Sequence, residues 1–135
     1  DALPIFWWVR SRVGAWLDAR RRGRRLRRAS RGEERACQLL EAEGYSVIDS
    51  QVGGRFDLEV DGQTRQVDLR ADHLVERGGC RYVAEVKTGH TAPDPTHTAT
   101  RRQLLEYRLA FRVDGILLVD METVRLHRVH FPLID

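Results

Sequence analysis

Lysine is almost missing from this chain. Of its 23 basic residues only Lys87 is a lysine, and the others are arginines. A composition that uses arginine wherever a positive charge suffices points to a job at position 87 that a guanidinium cannot do. An ammonium is a compact point charge with three rotatable donors, whereas the guanidinium is a broad planar fork. Cysteine is scarce as well. Cys37 and Cys80 have no C-x-x-C spacing, so neither a zinc cluster nor a disulfide framework is indicated, and a reduced, cytoplasmic setting is the expectation. The apolar run from Leu3 to Val9 is far short of the about 20 residues that cross a bilayer. There is no glycine-rich phosphate loop, no Ser/His/Asp ordering, no internal repeat and no heptad run. What remains is 135 residues, enough for one domain with a real core.

Charge divides the chain unevenly. Residues 1–31 hold ten arginines against two aspartates, a balance of +8, which leaves −5 for residues 32–135 of the net +3. Arg24, Arg25, Arg27 and Arg28 belong to a basic run that would neutralise phosphates irrespective of base sequence. Trp7, Trp8 and Trp16 beside clustered arginines also resemble the cytoplasmic flank of a membrane anchor. Three uses of residues 1–31 stay open: a nucleic-acid arm, a membrane-proximal segment at the inner face of a membrane, or a helix packed on the domain or a partner.

The informative chemistry lies further on. Tyr82 to Val86 is β-branched and aromatic, bounded by Gly78-Gly79 and Gly89, and reads as a strand. Side chains alternate faces along a strand, so Glu85 and Lys87 project to one side about 7 Å apart. Gln66 to Ala71 is a second short strand interrupted by Asp68, joined to the first through a turn near Glu76 to Gly79. If the two pair, the carboxylates of Asp68 and Glu85 converge. Two such groups about 4 Å apart repel by roughly 4 kcal/mol at an effective dielectric of 20, and a hard dication removes that repulsion. An exposed Glu/Lys pair on an edge strand is the plain alternative.

Asp68, Glu85 and Lys87 resemble the D…(D/E)-x-K signature of the PD-(D/E)xK nuclease superfamily, and Glu85-Val86-Lys87-Thr88-Gly89 resembles its RecB-like members. Upstream, a helical pattern from Arg31 to Leu40, ended by Gly44 and followed by Tyr45 to Ile48 as a strand, is similar to the start of Holliday-junction-resolvase-like domains. There a helix-borne Glu faces the metal, which makes Glu33 the candidate and Glu34 its substitute. Both also read as ordinary first-turn acids complementing the helix dipole. Downstream, Thr100 to Phe111 is helical, and Gln103 and Tyr107 lie four apart on its surface. The pair is similar to the additional Gln-x-x-x-Tyr motif of RecB-like exonucleases; packing of Tyr107 in the core is the rival reading. Gly54-Arg55-Phe56-Asp57 resembles the G-x-x-D of that group, so Asp57 competes with Asp68. Asp68 is preferred, because Phe56 to Val60 and Thr64 to Ala71 read as a hairpin whose second strand leads to Glu85. Asp72 shares a strand face with Asp68 only if the strand continues that far.

The resemblance implies an α/β fold with a restriction-endonuclease-like core, a mixed central β-sheet flanked by α-helices over residues 32–135. Gly115 to Val119 would form its buried central strand and Val124 to Phe131 a partly exposed edge. It further implies a deoxyribonuclease dependent on Mg2+ or Mn2+, acting in DNA repair, recombination or defence. Asp68, Glu85 and the Val86 carbonyl would hold the metal, Lys87 would act on the attacking water, and Glu33, Gln103 and Tyr107 would complete the site. DNA would be bound by Arg24, Arg25, Arg27, Arg28, Arg101 and Arg102. A catalytically silent nucleic-acid-binding or membrane-tethered module is the alternative. Exonuclease against endonuclease action, DNA against RNA, and a homodimer against a monomer stay open.

Overall fold

The computed structural model describes residues 31–135. The basic segment 1–30, with Arg24, Arg25, Arg27 and Arg28, lies outside the described residues. The elements in chain order are α1 (Arg31–Ala42), β1 (Ser46–Val60), β2 (Gln63–Arg77), β3 (Cys80–Lys87), α2 (Thr98–Ala110), β4 (Gly115–Asp120) and β5 (Arg125–Val129).

The five strands form one mixed sheet in the order β1-β2-β3-β4-β5. All neighbours are antiparallel except β3 and β4, whose parallel pairing is made possible by the crossover through α2. Two-residue turns set the hairpins. Asp61-Gly62 joins Val60 to Gln63, and Gly78-Gly79 joins Arg77 to Cys80, with positive φ at all four turn residues. Those are the backbone angles that a tight hairpin needs.

One helix covers each face. Ala36 and Leu40 of α1 pack with Tyr45, Val75, Tyr82, Ala84, Leu117 and Val119. Leu104, Tyr107 and Ala110 of α2 pack with Val52, Leu74, Val83, Ile116 and Leu118 on the other face. β4 is buried along nearly its whole length, as its unbroken apolar run predicts, and β5 is a half-exposed edge. Three segments that read as separate short strands are parts of two long ones. Ser46 to Ile48 and Phe56 to Val60 belong to the same strand β1, which Tyr45 immediately precedes, and Thr64 to Ala71 lies in the first part of β2. The distal part of this long hairpin runs past the end of β3 and is exposed from Asp57 to Gln66.

Candidate metal and phosphate site

β3 carries Glu85 and Lys87 on the face that α2 covers. Glu85 shares its parity with Val83, which packs under α2, and its carboxyl meets the Tyr107 hydroxyl. Burial to 4 % exposure puts this carboxyl in a low-dielectric position. Its pKa is pushed up to about 9, first by burial and then by the hydrogen bond to and the charge of Asp72, with Tyr107 and Lys87 opposing. Oxygen Oε2 of Glu85 is buried and has no hydrogen-bond partner.

The second carboxylate is Asp72. β2 and β3 pair from Arg77↔Cys80 to His73↔Ala84, and the next step in that register sets Asp72 opposite Glu85. The Val86 amide donates to Asp72 Oδ2 at 2.8 Å, and the Gln51 side-chain amide donates to Oδ1 at 3.3 Å.

Asp68, the expected ligand, is elsewhere. It sits four residues back along β2, about 13 Å at strand rise, opposite Arg55 in the β1–β2 pairing. Arg55 Nε donates to its Oδ1 at 2.6 Å, and its side chain is 67 % exposed. The correction is one of register: pairing with Glu85 falls four residues beyond Asp68. Asp57 is also exposed on the distal ribbon, opposite Gln66. Glu33 and Glu34 are exposed in the first turn of α1, on the helix covering the opposite face, so the structure does not bring either to Asp72 and Glu85.

Gln103 and Tyr107 do reach the site. Tyr107 is 1 % exposed; its hydroxyl donates to the Arg70 carbonyl at 2.9 Å and accepts from Gln103 Nε2 at 2.8 Å. Burial and the neighbouring Glu85 charge raise its pKa, so it stays a phenol. Core packing and a place beside Glu85 are not exclusive for Tyr107: its ring stacks edge-on against Phe111 while its hydroxyl borders Glu85. Arg101 and Arg102 are exposed at the start of α2, with Arg101 donating to the Thr96 carbonyl.

Two close carboxyl groups, one with an orphaned buried oxygen, are a donor set that fits a hard divalent cation. Val86 lies between Glu85 and Lys87 and is tied to Asp72 through its amide. No group of three or more His, Cys, Asp or Glu side chains able to hold a metal occurs among the described residues. Among them, too, no helix is long and apolar enough to cross a membrane.

No protein-family model matches the sequence, and no curated protein matches it. Among solved structures, the chain is similar to one described as "Crystal structure of SSO0001", with a TM-score of 0.51 and 20% sequence identity. The match covers 68% of this chain and 44% of that one, so this chain spans less than half the length of its structural neighbour. At this identity the likeness is one of fold, and the fold shared is the α/β arrangement of a mixed sheet between helices.

Proposed function

We propose that this chain is a divalent-metal-dependent nuclease with a restriction-endonuclease-like core, cutting DNA phosphodiester bonds. One observation carries the reading: Asp72 and Glu85 meet on neighbouring strands, with the Glu85 oxygen Oε2 buried and unbonded. Lys87 follows two residues on along the same strand face. With Asp72 in place of Asp68, the residues retain the D…E-x-K order of the PD-(D/E)xK superfamily, which they resemble.

Asp72, Glu85 and the Val86 carbonyl would hold Mg2+ or Mn2+, and when bound the ion supplies charge neutralisation and Lewis-acid polarisation of the phosphate. Lys87 then orients the attacking water by hydrogen bonding and stabilises the negative charge that develops on the phosphate oxygens. Tyr107 fixes the Glu85 carboxyl from the α2 side, and Gln103 holds the Tyr107 hydroxyl. Arg101 and Arg102, exposed next to Gln103, are placed to meet backbone phosphates. The basic segment with Arg24, Arg25, Arg27 and Arg28 adds sequence-independent affinity, which an acidic remainder of −5 does not supply.

The test is cleavage of linear and branched DNA with magnesium. Lys87→Ala is expected to abolish cutting while DNA binding stays within a few-fold of the parent. Cutting that survives in both Lys87→Ala and Glu85→Ala removes the site. A nucleic-acid-binding or membrane-tethered module without turnover is the second reading, favoured by the lack, among the described residues, of any group of three or more His, Cys, Asp or Glu side chains able to hold a metal. A missing manganese isotherm, with and without DNA, would select it.

A further inference from the structure

Asp72 lies at a break in strand alternation. In a regular strand Ser50 and Val52 would share a face. Here the Ser50 hydroxyl bonds His73 Nδ1 at 2.7 Å, and the other nitrogen of that ring is 3.9 Å from Cys37 Sγ on α1. Val52, in contrast, packs with Ala71 in the cluster under α2. The faces switch at Gln51, and across from it at Asp72. Gln51 has φ of 55°, the left-handed region that a side chain other than glycine rarely adopts. The pairing register itself is unbroken here, with Ser50 opposite His73 and Val52 opposite Ala71; the bulge of this hairpin lies earlier, between Val47 and Asp49.

Resting on the cation site argued above, we propose that Gln51 is a positioning residue for it, holding the Asp72 carboxylate at Oδ1 while the Val86 amide holds Oδ2. The two donors come from opposite neighbouring strands, β1 and β3, so the carboxylate plane is fixed from both sides. A carboxylate oxygen has two acceptor positions. Each oxygen therefore keeps a second position besides the one that its strand donor occupies, and Glu85 lies on that side. Gln51 touches neither phosphate nor ion in this arrangement; it acts through Asp72, as ligand-orienting partners do in other metal sites.

Glycine at position 51 relieves the backbone and removes the amide, which separates the two roles of the residue. The full chain and its Gln51→Gly and Gln51→Met variants are compared by thermal melting without metal and by calorimetric titration with manganese. Gln51→Gly is expected to melt at or above the parent temperature yet bind manganese about 10-fold more weakly. Gln51→Met, which keeps the length but not the donor, should weaken binding similarly. Parent-like manganese affinity in either variant overturns the proposal. So does a loss of affinity in Gln51→Gly that comes only with a large fall in melting temperature, since Gln51 is then structural. If the parent gives no isotherm, or Glu85→Ala binds like the parent, the cation site itself fails and this role falls with it.

Discussion

Asp72 Oδ2 accepts the Val86 amide hydrogen at 2.8 Å, so the carboxylate of one strand is fastened to the backbone between Glu85 and Lys87 of the next. The acid, the second acid and the lone lysine are thereby placed by a single β2–β3 register. Asp72→Asn should accordingly abolish magnesium-dependent cleavage and reduce manganese affinity at least 10-fold, in the range of losses known for metal-site partners. Asp68→Asn removes an exposed ion pair, worth about 0–1 kcal/mol, and should leave cleavage within about twofold. Parallel assays of the two variants decide between the carboxylates. Equal loss in both would detach the chemistry from the register seen here.

The protonation of Glu85 predicts an unusual pH dependence for the metal-free protein. Its folded pKa, near 9, lies above the ordinary value of 4.5. Between those values the folded state holds a proton that the unfolded state has lost, so stability falls as pH rises, by at most about 1.4 kcal/mol per unit. Denaturant melts at pH 5, 7 and 9 should show this decline, and Glu85→Gln should flatten it. Manganese should restore stability at the alkaline end, because a cation favours the ionised pair. A metal-free protein that grows steadily more stable from pH 5 to 9 would contradict the burial and repulsion argued for Glu85.

The α/β sheet and several residues around Glu85 are legible in the sequence, whereas the carboxylate that faces Glu85 is set by strand register. Glu85, Lys87, Gln103 and Tyr107 stand out by residue type and spacing, and all four lie on the α2 side of the sheet or border it. Asp68 reads as the partner because it interrupts an apolar stretch. The decisive signal was the two-residue turn Gly78-Gly79: with Arg77 opposite Cys80, counting outward pairs residue 72 with Glu85, and residue 68 falls beyond the end of β3. The left-handed backbone at Gln51 has no such signature. No glycine stands there to mark it, since the left-handed residue is a glutamine, whose side-chain amide donates to Asp72. Glu33 failed for a tertiary reason, because helical spacing fixes which residues share a face but not which side of the sheet the helix covers.

Tyr107 couples the helix to the site, and its hydroxyl can be removed with little change of shape. Tyr107→Phe deletes the donor to the Arg70 carbonyl, the acceptor for Gln103 and a contact to Glu85. The expected cost is about 1–3 kcal/mol in stability, the usual penalty for unpairing buried polar groups. Cleavage should fall by more than stability alone explains, measured at a temperature where the variant is fully folded. If Tyr107→Phe cuts DNA at the parent rate there, the hydroxyl serves packing only.

The long hairpin is held against α2 by close approach at Gly54. A Cβ placed there would lie 2.6 Å from Phe111 Cζ and 2.8 Å from both Cε atoms, well inside contact distance. Phe111 is itself 2 % exposed and packed in the cluster with Val52, Ala71 and Tyr107, so the ring cannot simply swing outward. Gly54→Ala should therefore destabilise the fold by about 1–3 kcal/mol through overpacking. Gly53→Ala is the matched control, because a Cβ there meets nothing within 4 Å. Chemical denaturation of the two variants measures the difference. Since Val52 and Gly54 follow closely on Gln51, whose amide holds Asp72, Gly54→Ala should also weaken manganese binding, while Gly53→Ala should leave it near the parent; equal stability in the two would mean that Phe111 does not clamp the ribbon.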